Sequence, residues 1–401
     1  MPRGRGGKHC GEETGCGKPC STMTIHVGPV SDERQREAGG ANPTAPLVVH
    51  VFPRFDVGGA QVRFAAIANH FGRAFRHVVV SLNGNLDCRE RLRPDLDVTF
   101  PAVGATKDAM LANAWRFRRL LRAWAPDVLI TCNWGAIEFA LANIPSVTRH
   151  LHVVDGFGPE ERSMQIRRRI WLRRIALSHT PVVLPSRNLT RIATEVWRLP
   201  QRVVRYVPNG IDLERFAADG LRRGGAEPVI GTVAALRPEK NIARLLRAFA
   251  RLPAGRLVLV GDGAERGALQ ALAAALGVAD RVEFAGHHRE TAAFYARFDI
   301  FALSSDTEQM PLSVIEAMAS GLPVVSTDVG DVRLMVAAEN EPFITPLEDE
   351  ALTACLAALA TDRDLRRRIG LANLARARRD FDQTAMFAAH GALWRGTAAG
   401  W

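Results

Sequence analysis

Short apolar runs alternate with helical patterns along most of this chain of 401 residues. The first run is PLVVHVF at 46–52, and in the pattern that follows it Ile67 and Phe71 come after Phe64 at steps of three and four residues. Such steps are typical of one buried face of a helix. Apolar runs without polar alternation are typical of strands buried on both faces of a parallel sheet. The alternation therefore predicts an α/β fold with parallel sheets.

The alternation occurs twice, which predicts two domains. In the first half, one helix is expected over 109–124, and strands are expected at 46–52, 77–82, 128–132, 146–154 and 181–185. After the turn-forming segment VPNGID at 207–212, further strands are expected at 228–234, 256–260, 281–284, 300–303 and 324–326.

These elements define four segments. Residues 1–45 are rich in Gly, Pro, Ser and charge and are predicted to be a disordered tail. Residues 46–205 form the predicted N-terminal domain and 206–380 the C-terminal domain. We expect 381–401 to be a helix that packs back on the N-terminal domain.

The chain is basic, with a net charge of +10. This charge favours nucleic acid, a membrane surface or an anionic small substrate as a partner. Only two tyrosines occur, and no run interleaves aromatic with basic residues as single-strand binders do, so nucleic acid is not expected. No apolar run reaches the roughly 18 residues of a membrane span, and no apolar stretch follows the first charges, so a cytoplasmic protein is predicted.

The cysteines do not predict a metal site. Cys10, Cys16 and Cys20 lie near His9, but their spacing matches no common zinc pattern. Cys88, Cys132 and Cys355 lie far apart and are interpreted as small buried hydrophobic residues.

The segment 301–330 carries the most specific chemistry. Glu308 and Glu316 flank Pro311, which is expected to be the first residue of a helix that ends at Gly321. The start of a helix offers unpaired N–H groups to an anion such as a diphosphate. A carboxylate accepts hydrogen bonds from paired hydroxyls. An anion combined with diols describes a nucleotide sugar.

Six motifs in order resemble the retaining nucleotide-sugar glycosyltransferases of family 4, which have the GT-B fold of two Rossmann-like domains. The resemblance covers about 46–395. The motifs are GGAQ at 58–61, VPNGID at 207–212, LRPEKN at 236–241, LVLVGDG at 257–263, EFAG at 283–286 and MPLSVIEAMASGLPVV at 310–325. The resemblance implies transfer of a sugar to an acceptor hydroxyl, in the synthesis of a cell-surface polysaccharide or a glycolipid, without a metal or other cofactor.

The resemblance also implies residue roles. Glu316 binds the ribose hydroxyls, and Glu308 binds the donor sugar near the reacting carbon. Lys240 contacts the diphosphate, and the backbone amides of Leu312 and Ser313 complete its cradle.

Four glycines are assigned to the same nucleotide site by this resemblance. Gly58 and Gly59 let the first domain's backbone approach the phosphates, which a Cβ would block. Gly261 and Gly286 follow strands of the second domain, and the loop after Phe284 lines the base.

In the first domain, His152 and Asp155 lie within HVVDGFG. This segment matches the place where the family often has a functional histidine near the reacting carbon.

The chain departs from the family at Ala235, where an arginine usually pairs with the lysine. Arg237 lies two residues further along, on the same face if the strand extends that far. We interpret Arg237 as a second cation for the diphosphate.

Two other functions are considered. GDGAERG at 261–267, with Glu283 about twenty residues on, resembles a dinucleotide fingerprint and would indicate an NAD(P)-dependent oxidoreductase, but its spacing is G-x-G-x3-G. Ala235 raises the alternative of a binding or partner protein with weakened catalysis.

The segment RRRIWLRRIAL at 167–177 mixes arginines with apolar residues. It is interpreted either as an ordinary surface helix or as a helix that lies on an anionic membrane. The membrane alternative would fit a lipid-linked acceptor and a peripheral location at the inner face of the plasma membrane.

Overall fold

The structure is a computed structural model, and it describes residues 43–104, 109–157, 161, 164–217 and 227–398. The four cysteine and histidine residues near the N-terminus lie outside these ranges, as does nearly all of the predicted tail. Ala45 is already part of the folded chain, with 5% of its surface exposed.

The first domain is a seven-stranded sheet in the order β3-β2-β1-β4-β5-β6-β7, and every neighbouring pair is parallel. Its strands are β1 Leu47–Phe52, β2 Arg76–Ser81, β3 Val98–Thr99, β4 Val128–Cys132, β5 Arg149–Val153, β6 Val182–Leu184 and β7 Val204–Tyr206. Its helices are α1 Gly59–Phe71, α2 Met110–Trp124, α3 Ile137–Ala142, α4 Arg167–Leu177 and α5 Arg187–Arg191.

The second domain is a six-stranded parallel sheet in the order β10-β9-β8-β11-β12-β13. Its strands are β8 Val229–Val233, β9 Arg256–Val260, β10 Val282–Gly286, β11 Ile300–Leu303, β12 Val324–Thr327 and β13 Ile344–Thr345. Its helices are α6 Leu213–Phe216, α7 Ile242–Ala250, α8 Arg266–Ala275, α9 Ala292–Tyr295, α10 Leu312–Ala319, α11 Val332–Met335, α12 Asp349–Thr361 and α13 Arg363–Asp380.

The last helix, α14 Gln383–Arg395, returns to the first domain. Its Met386, Phe387 and Trp394 are buried in the core beneath β1 and α1. The ring of Trp394 lies 5.2 Å from that of His50 in β1. This packing joins the end of the chain to the first sheet.

The predicted fold of two α/β domains with parallel sheets is confirmed. The strands that sequence analysis missed are β3, β7 and β13, which contain two or three residues each. Pro311 was wrongly expected inside the helix; it precedes α10 in an extended conformation with φ −69° and ψ 123°. Cys88 and Cys132 are buried, whereas Cys355 is only partly buried.

Parallel sheets bind ligands at the carboxyl ends of their strands. The loops at these ends carry Gly58 after β1, Lys240 after β8, Gly261 after β9 and Glu308 after β11. Loops of both domains meet in a cleft, and the candidate site lies there.

Candidate active site

Lys240 and Glu308 form the charged centre of the cleft. The Lys240 Nζ lies 2.6 Å from the Glu308 Oε1. The same oxygen accepts a hydrogen bond of 2.7 Å from the Ser305 hydroxyl. Both side chains are mostly shielded, with 25% and 10% exposed respectively. The pairing leaves Glu308 Oε2 as the carboxylate oxygen available to a ligand.

A buried arginine holds the loops that carry this pair. Arg244 of α7 donates to the carbonyl oxygen of Ser304 and to the Asp306 carboxylate, each at 2.8 Å. Asn241 donates to the same Asp306 oxygen at 3.0 Å. Because charge-assisted hydrogen bonds are strong in a shielded site, the loop before α7 and the loop before α10 are fixed against each other.

Glu316 projects from the second turn of α10 and is partly buried. The Tyr295 hydroxyl, itself buried, donates to Glu316 Oε2 at 2.7 Å. Burial raises the pKa of Glu316, while the hydrogen bond from Tyr295 favours the ionised form. The second oxygen of this fixed carboxylate can accept a hydrogen bond from a diol.

The N-terminus of α10 lies opposite the first domain's glycine loop. The N–H groups of Leu312 and Ser313 belong to its first turn, where no earlier carbonyl lies within the helix. A Cβ built on Gly59 would lie 4.0 Å from Leu312 Cδ1, and one on Gly58 would meet only the side chain of Gln61. The protein backbone therefore sets no packing constraint at either glycine.

Gly261 and Gly286 have a structural explanation instead. Gly261 has φ +138°, and a Cβ there would lie 1.9 Å from the carbonyl oxygen of Ala234. The Gly261 N–H donates to Gly286 at 2.8 Å. Gly261 allows the ends of β8 and β9 to pack closely, and Gly263 does the same beside the carbonyl oxygen of Leu236, at 2.3 Å from a built Cβ, whereas Gly286 is required by its φ of +82°. These backbone constraints explain the three glycines without a dinucleotide.

Arg237 reaches across the cleft toward the first domain. Its guanidinium lies 3.5 Å from the Asp56 carboxylate, and 41% of the side chain is exposed. Asp56 belongs to the loop that leads to Gly58. The structure thus brings the cation predicted to replace the missing family arginine beside the glycine loop.

His152 lies inside the first sheet. It is 1% exposed, and its Nδ1 is hydrogen bonded to the Thr131 hydroxyl at 2.7 Å. Burial holds the pKa of His152 well below its usual value, so the ring is neutral. A catalytic role for His152 stays a prediction, and it would require the ring to become accessible.

Asp155 is paired within the protein. Arg63 of α1, which is 7% exposed, lies 2.6 Å from the Asp155 carboxylate. The same Arg63 nitrogen donates to Asn209 at 2.8 Å, and Asn209 donates to the carbonyl oxygen of Met310 at 2.9 Å. This chain of bonds connects the end of β5 to the segment before α10. The second carboxylate oxygen of Asp155 is buried and has no hydrogen-bond partner among the described residues, and a catalytic role for Asp155 stays a prediction.

Asp331 of the second domain binds the first domain directly. It is 3% exposed, and its carboxylate accepts hydrogen bonds from the backbone N–H groups of Arg187 and Asn188, at 2.5 and 2.9 Å. Asp331 thereby satisfies the first N–H groups of α5. Gln309 reinforces the contact by accepting from Ser186 and Asn188, each at 3.3 Å.

Sequence analysis missed several residues that build the site: Arg63, Arg244, Tyr295, Asp306, Gln309 and Asp331. Their partners lie far along the chain, so no local spacing marks them.

Family models match both halves of the chain. The model described as Glycosyltransferase Family 4 matches residues 57–215. The model described as Glycosyl transferases group 1 matches residues 216–375. The two matches are contiguous and divide the chain between the two domains.

Curated relatives match over part of their length. The GDP-mannose-dependent alpha-mannosyltransferase of Mycolicibacterium smegmatis is 31% identical over 63% of this chain and 69% of its own. The lipopolysaccharide core biosynthesis glycosyltransferase LpsE of Rhizobium meliloti is 36% identical over 35% of this chain, and the match spans only 42% of LpsE.

The fold is also that of solved glycosyltransferase structures. HepE from Anabaena, crystallised with UDP, is similar with a TM-score of 0.74 at 19% identity, over 88% of this chain and all of HepE. This likeness establishes the architecture of two Rossmann-like domains that face a cleft. With both family models matched and the mannosyltransferase aligned over more than two thirds of its length, the chain belongs to glycosyltransferase family 4.

Proposed function

We propose that this chain is a retaining glycosyltransferase that moves a hexose-type unit from a nucleoside diphosphate sugar to an acceptor hydroxyl, in the synthesis of a cell-surface polysaccharide or glycolipid. The observation that carries the proposal is the Lys240–Glu308 pair, 2.6 Å apart, in the same cleft as the N-terminus of α10. Family membership supports the reaction class.

The donor roles follow from the chemistry of each group. Lys240 and the N–H groups of Leu312 and Ser313 bind the diphosphate, because cations and helix starts stabilise anions. Glu308 accepts from a hydroxyl of the donor sugar. Glu316, held by Tyr295, accepts from the ribose hydroxyls.

The reaction proceeds on one face of the sugar. The bond between the anomeric carbon and the diphosphate oxygen breaks, and its electron pair leaves with the diphosphate. The acceptor oxygen bonds to the same carbon from the same side and gives its proton to the departing diphosphate. Lys240 stabilises the negative charge that develops on the diphosphate, as preorganised charge does in a shielded site.

Arg237 is the second cation of this proposal. It releases Asp56 and binds the diphosphate when the donor enters between the domains. This would compensate for the alanine at position 235.

We also propose contact with an anionic membrane through α4. On its outward face Trp171 is 63% and Ile175 is 44% exposed, and Arg167, Arg168 and Arg174 are exposed beside them. A mixed apolar and basic face favours binding to anionic lipid. Among the described residues, no helix is both long and apolar enough to cross a membrane.

Vesicle sedimentation tests the membrane contact. We expect the protein to bind phosphatidylglycerol vesicles and not phosphatidylcholine vesicles. We expect Trp171→Ser to bind the phosphatidylglycerol vesicles less. Equal binding of both proteins to both vesicles would contradict it.

The transferase itself is tested by a thermal-shift panel of UDP, GDP, ADP, CMP, NAD and NADP. UDP and GDP are included because HepE was crystallised with UDP and the mycobacterial relative is named for GDP-mannose. A ligand at one hundred times its Kd stabilises a protein by about 2.7 kcal/mol. One nucleoside diphosphate should raise the Tm, and the shift should disappear in Glu316→Ala. Stabilisation by NAD or NADP alone would contradict the proposal, as would silence from all six.

A further inference from the structure

A chain of hydrogen bonds between buried side chains runs through the first sheet and ends at His152. The Thr131 hydroxyl of β4 lies 2.7 Å from His152 Nδ1 and 2.8 Å from His150 Nε2. The other ring nitrogen of His150, Nδ1, lies 3.2 Å from the Thr180 hydroxyl. Each of the four residues is at most 8% exposed. The chain therefore connects the segment before β6 to the carboxyl end of β5.

Strand register brings these groups together. In the parallel pair of β4 and β5, Thr131 lies opposite His152. Side chains two positions apart in a strand point to the same face of the sheet. His150 and His152 therefore share the face on which the Thr131 hydroxyl lies between their rings.

Both histidine rings of the chain are neutral. Burial lowers the pKa of His150 to about 3. Burial, together with the charges of His150 and Arg173, holds the pKa of His152 well below its usual value. A neutral ring has one nitrogen that donates and one that accepts, and a hydroxyl has a single hydrogen. The Thr131 hydroxyl therefore donates to one ring and accepts from the other.

One of the two possible directions gives every hydrogen of the chain an acceptor within it. In that direction the Thr180 hydroxyl donates to His150 Nδ1, and His150 Nε2–H donates to the Thr131 oxygen. The Thr131 hydroxyl then donates to His152 Nδ1, so the hydrogen of the His152 ring is on Nε2. In the reverse direction the hydrogen of the Thr180 hydroxyl has no acceptor in the chain. Because an unpaired buried donor is costly, the first direction is favoured.

The Nε2–H group of His152 is the open end of this chain. The ring nitrogens that are fully buried without a hydrogen-bond partner, among the described residues, belong to His77 and His390 and not to His152. His152 is the second-last residue of β5, at the edge of the sheet where the loops of the cleft begin. The Nε2 hydrogen is thus the donor left for a substrate oxygen once the ring becomes accessible.

We propose, resting on the proposed transferase function, that Thr131 is a positioning residue that holds His152 in the tautomer with its hydrogen on Nε2. His152 then acts as a hydrogen-bond donor to an oxygen of the substrate. It does not act as the base that removes the acceptor proton, which passes to the departing diphosphate.

Nitrogen NMR of the full chain, isotopically labelled in its histidines, tests the tautomer without any substrate. The His152 signals are identified by their loss in His152→Gln. The wild type and Thr131→Ser, which keeps the hydroxyl, should both carry the hydrogen on Nε2. In Thr131→Val the Nδ1 resonance should move, because that nitrogen loses its donor. A wild-type ring with its hydrogen on Nδ1, or an unmoved Nδ1 resonance in Thr131→Val, would overturn the inference.

Turnover of the nucleotide sugar whose nucleotide gives the thermal shift separates positioning from a purely structural role. We expect kcat to fall about tenfold in Thr131→Val at an unchanged donor KM, and to recover in Thr131→Ser. Thr232→Val is the control, because Thr232 of β8 is equally buried but its hydroxyl has no hydrogen-bond partner among the described residues. A kcat in Thr131→Val equal to that of the control, or no recovery in Thr131→Ser, would overturn the role.

Thr180→Val provides the same test if Thr131→Val does not fold. It removes the hydroxyl at the far end of the chain, where the hydrogen bond is longest, so His152 should show both tautomers and kcat should fall by about threefold. An unchanged tautomer with an unchanged kcat would overturn the inference. Since the tautomer is measured without substrate, the predicted tautomer in a protein that binds none of the nucleotides would refute the transferase function and not the position of the hydrogen.

Discussion

The two sides of the cleft use their charged residues differently. On the second-domain side, Lys240 and Glu308 pair with each other but retain exposed surface and a carboxylate oxygen for a ligand. On the first-domain side, Asp155 pairs with Arg63, and His152 lies within the sheet. Both carboxylates are mostly shielded, with 10% of Glu308 and 16% of Asp155 exposed, and the cations differ, with 25% of Lys240 but only 7% of Arg63 exposed. A cation that is paired and still accessible can act on a substrate, whereas one that is buried and paired holds the fold together.

The largest effect expected from a single substitution is on stability, from Asp155→Ala. The change leaves Arg63 buried without its carboxylate, and removing one partner of a buried pair costs about 3–5 kcal/mol. Chemical denaturation should measure this loss. Asp95→Ala is the matched control, because Asp95 also lies 2.6 Å from an arginine but the pair is exposed, so that its loss should cost at most about 1 kcal/mol. A large fall in kcat with unchanged stability would instead assign Asp155 to catalysis and break the comparison.

The next effect is on catalysis, from Lys240→Met. This variant keeps the length of the side chain and removes its charge. Loss of one preorganised charge at a shielded site costs about 100-fold or more in kcat/KM, with little change in Tm. Arg251→Met is the control, since Arg251 forms an exposed pair with Glu350. Equal kcat/KM for the two variants would remove Lys240 from the site.

The third prediction concerns the stability of the folded protein at acidic pH. Burial lowers the pKa of His77 from 6.5 to about 4, and those of His150 and His390 to about 3. These histidines lie in the first sheet or in the helix packed on it. The unfolded chain binds more protons below pH 6.5, so stability falls as the pH falls from 6.5 to 4, by on the order of 3 kcal/mol per histidine.

Unfolding curves between pH 7 and pH 4 should measure this slope. His390→Leu should flatten it, and His179→Leu, at an exposed position, should not. A free energy of unfolding that is constant between pH 7 and pH 4 would contradict the prediction that the buried histidines bind protons only in the unfolded chain.

The smallest effect is expected from Arg237→Ala. Arg237 is 41% exposed and its bond to Asp56 is long, at 3.5 Å, so its contribution is smaller than that of Lys240. We expect about a tenfold rise in the donor KM, and no change in Arg251→Ala. An equal donor KM for both variants would show that Arg237 is an ordinary surface charge that does not replace the arginine missing at position 235.

Local patterns marked the longer strands and helices and the predicted second-domain residues Glu308 and Glu316, but not Arg244 and Tyr295, whose partners lie further along the chain. Buried parallel strands are apolar runs, and the residues after Leu303 carry a helix start with two carboxylates in one continuous segment. Edge strands such as β13, with two residues, are too short to produce a pattern. Their pairing comes from the neighbouring strand and not from their own sequence.

The first-domain half of the site depends on contacts between distant parts of the chain. Arg63 and Asn209 are separated by 146 positions, and Asn188 and Asp331 by 143. The position of Asp155 in a motif gave no information on whether its carboxylate was free. The ion pair forms because the fold brings Arg63 of α1 to within 2.6 Å of Asp155 in the loop after β5.

The most direct test of the account is isothermal titration of the nucleoside diphosphate selected by the thermal-shift panel into the wild-type protein and Glu316→Ala. Glu350→Ala, at an exposed surface pair, serves as the control. The account predicts binding to the wild type and to the control with equal Kd, and a Kd at least tenfold higher for Glu316→Ala. Equal affinity of all three proteins would contradict the central claim that the second-domain side of the cleft binds the donor through Glu316.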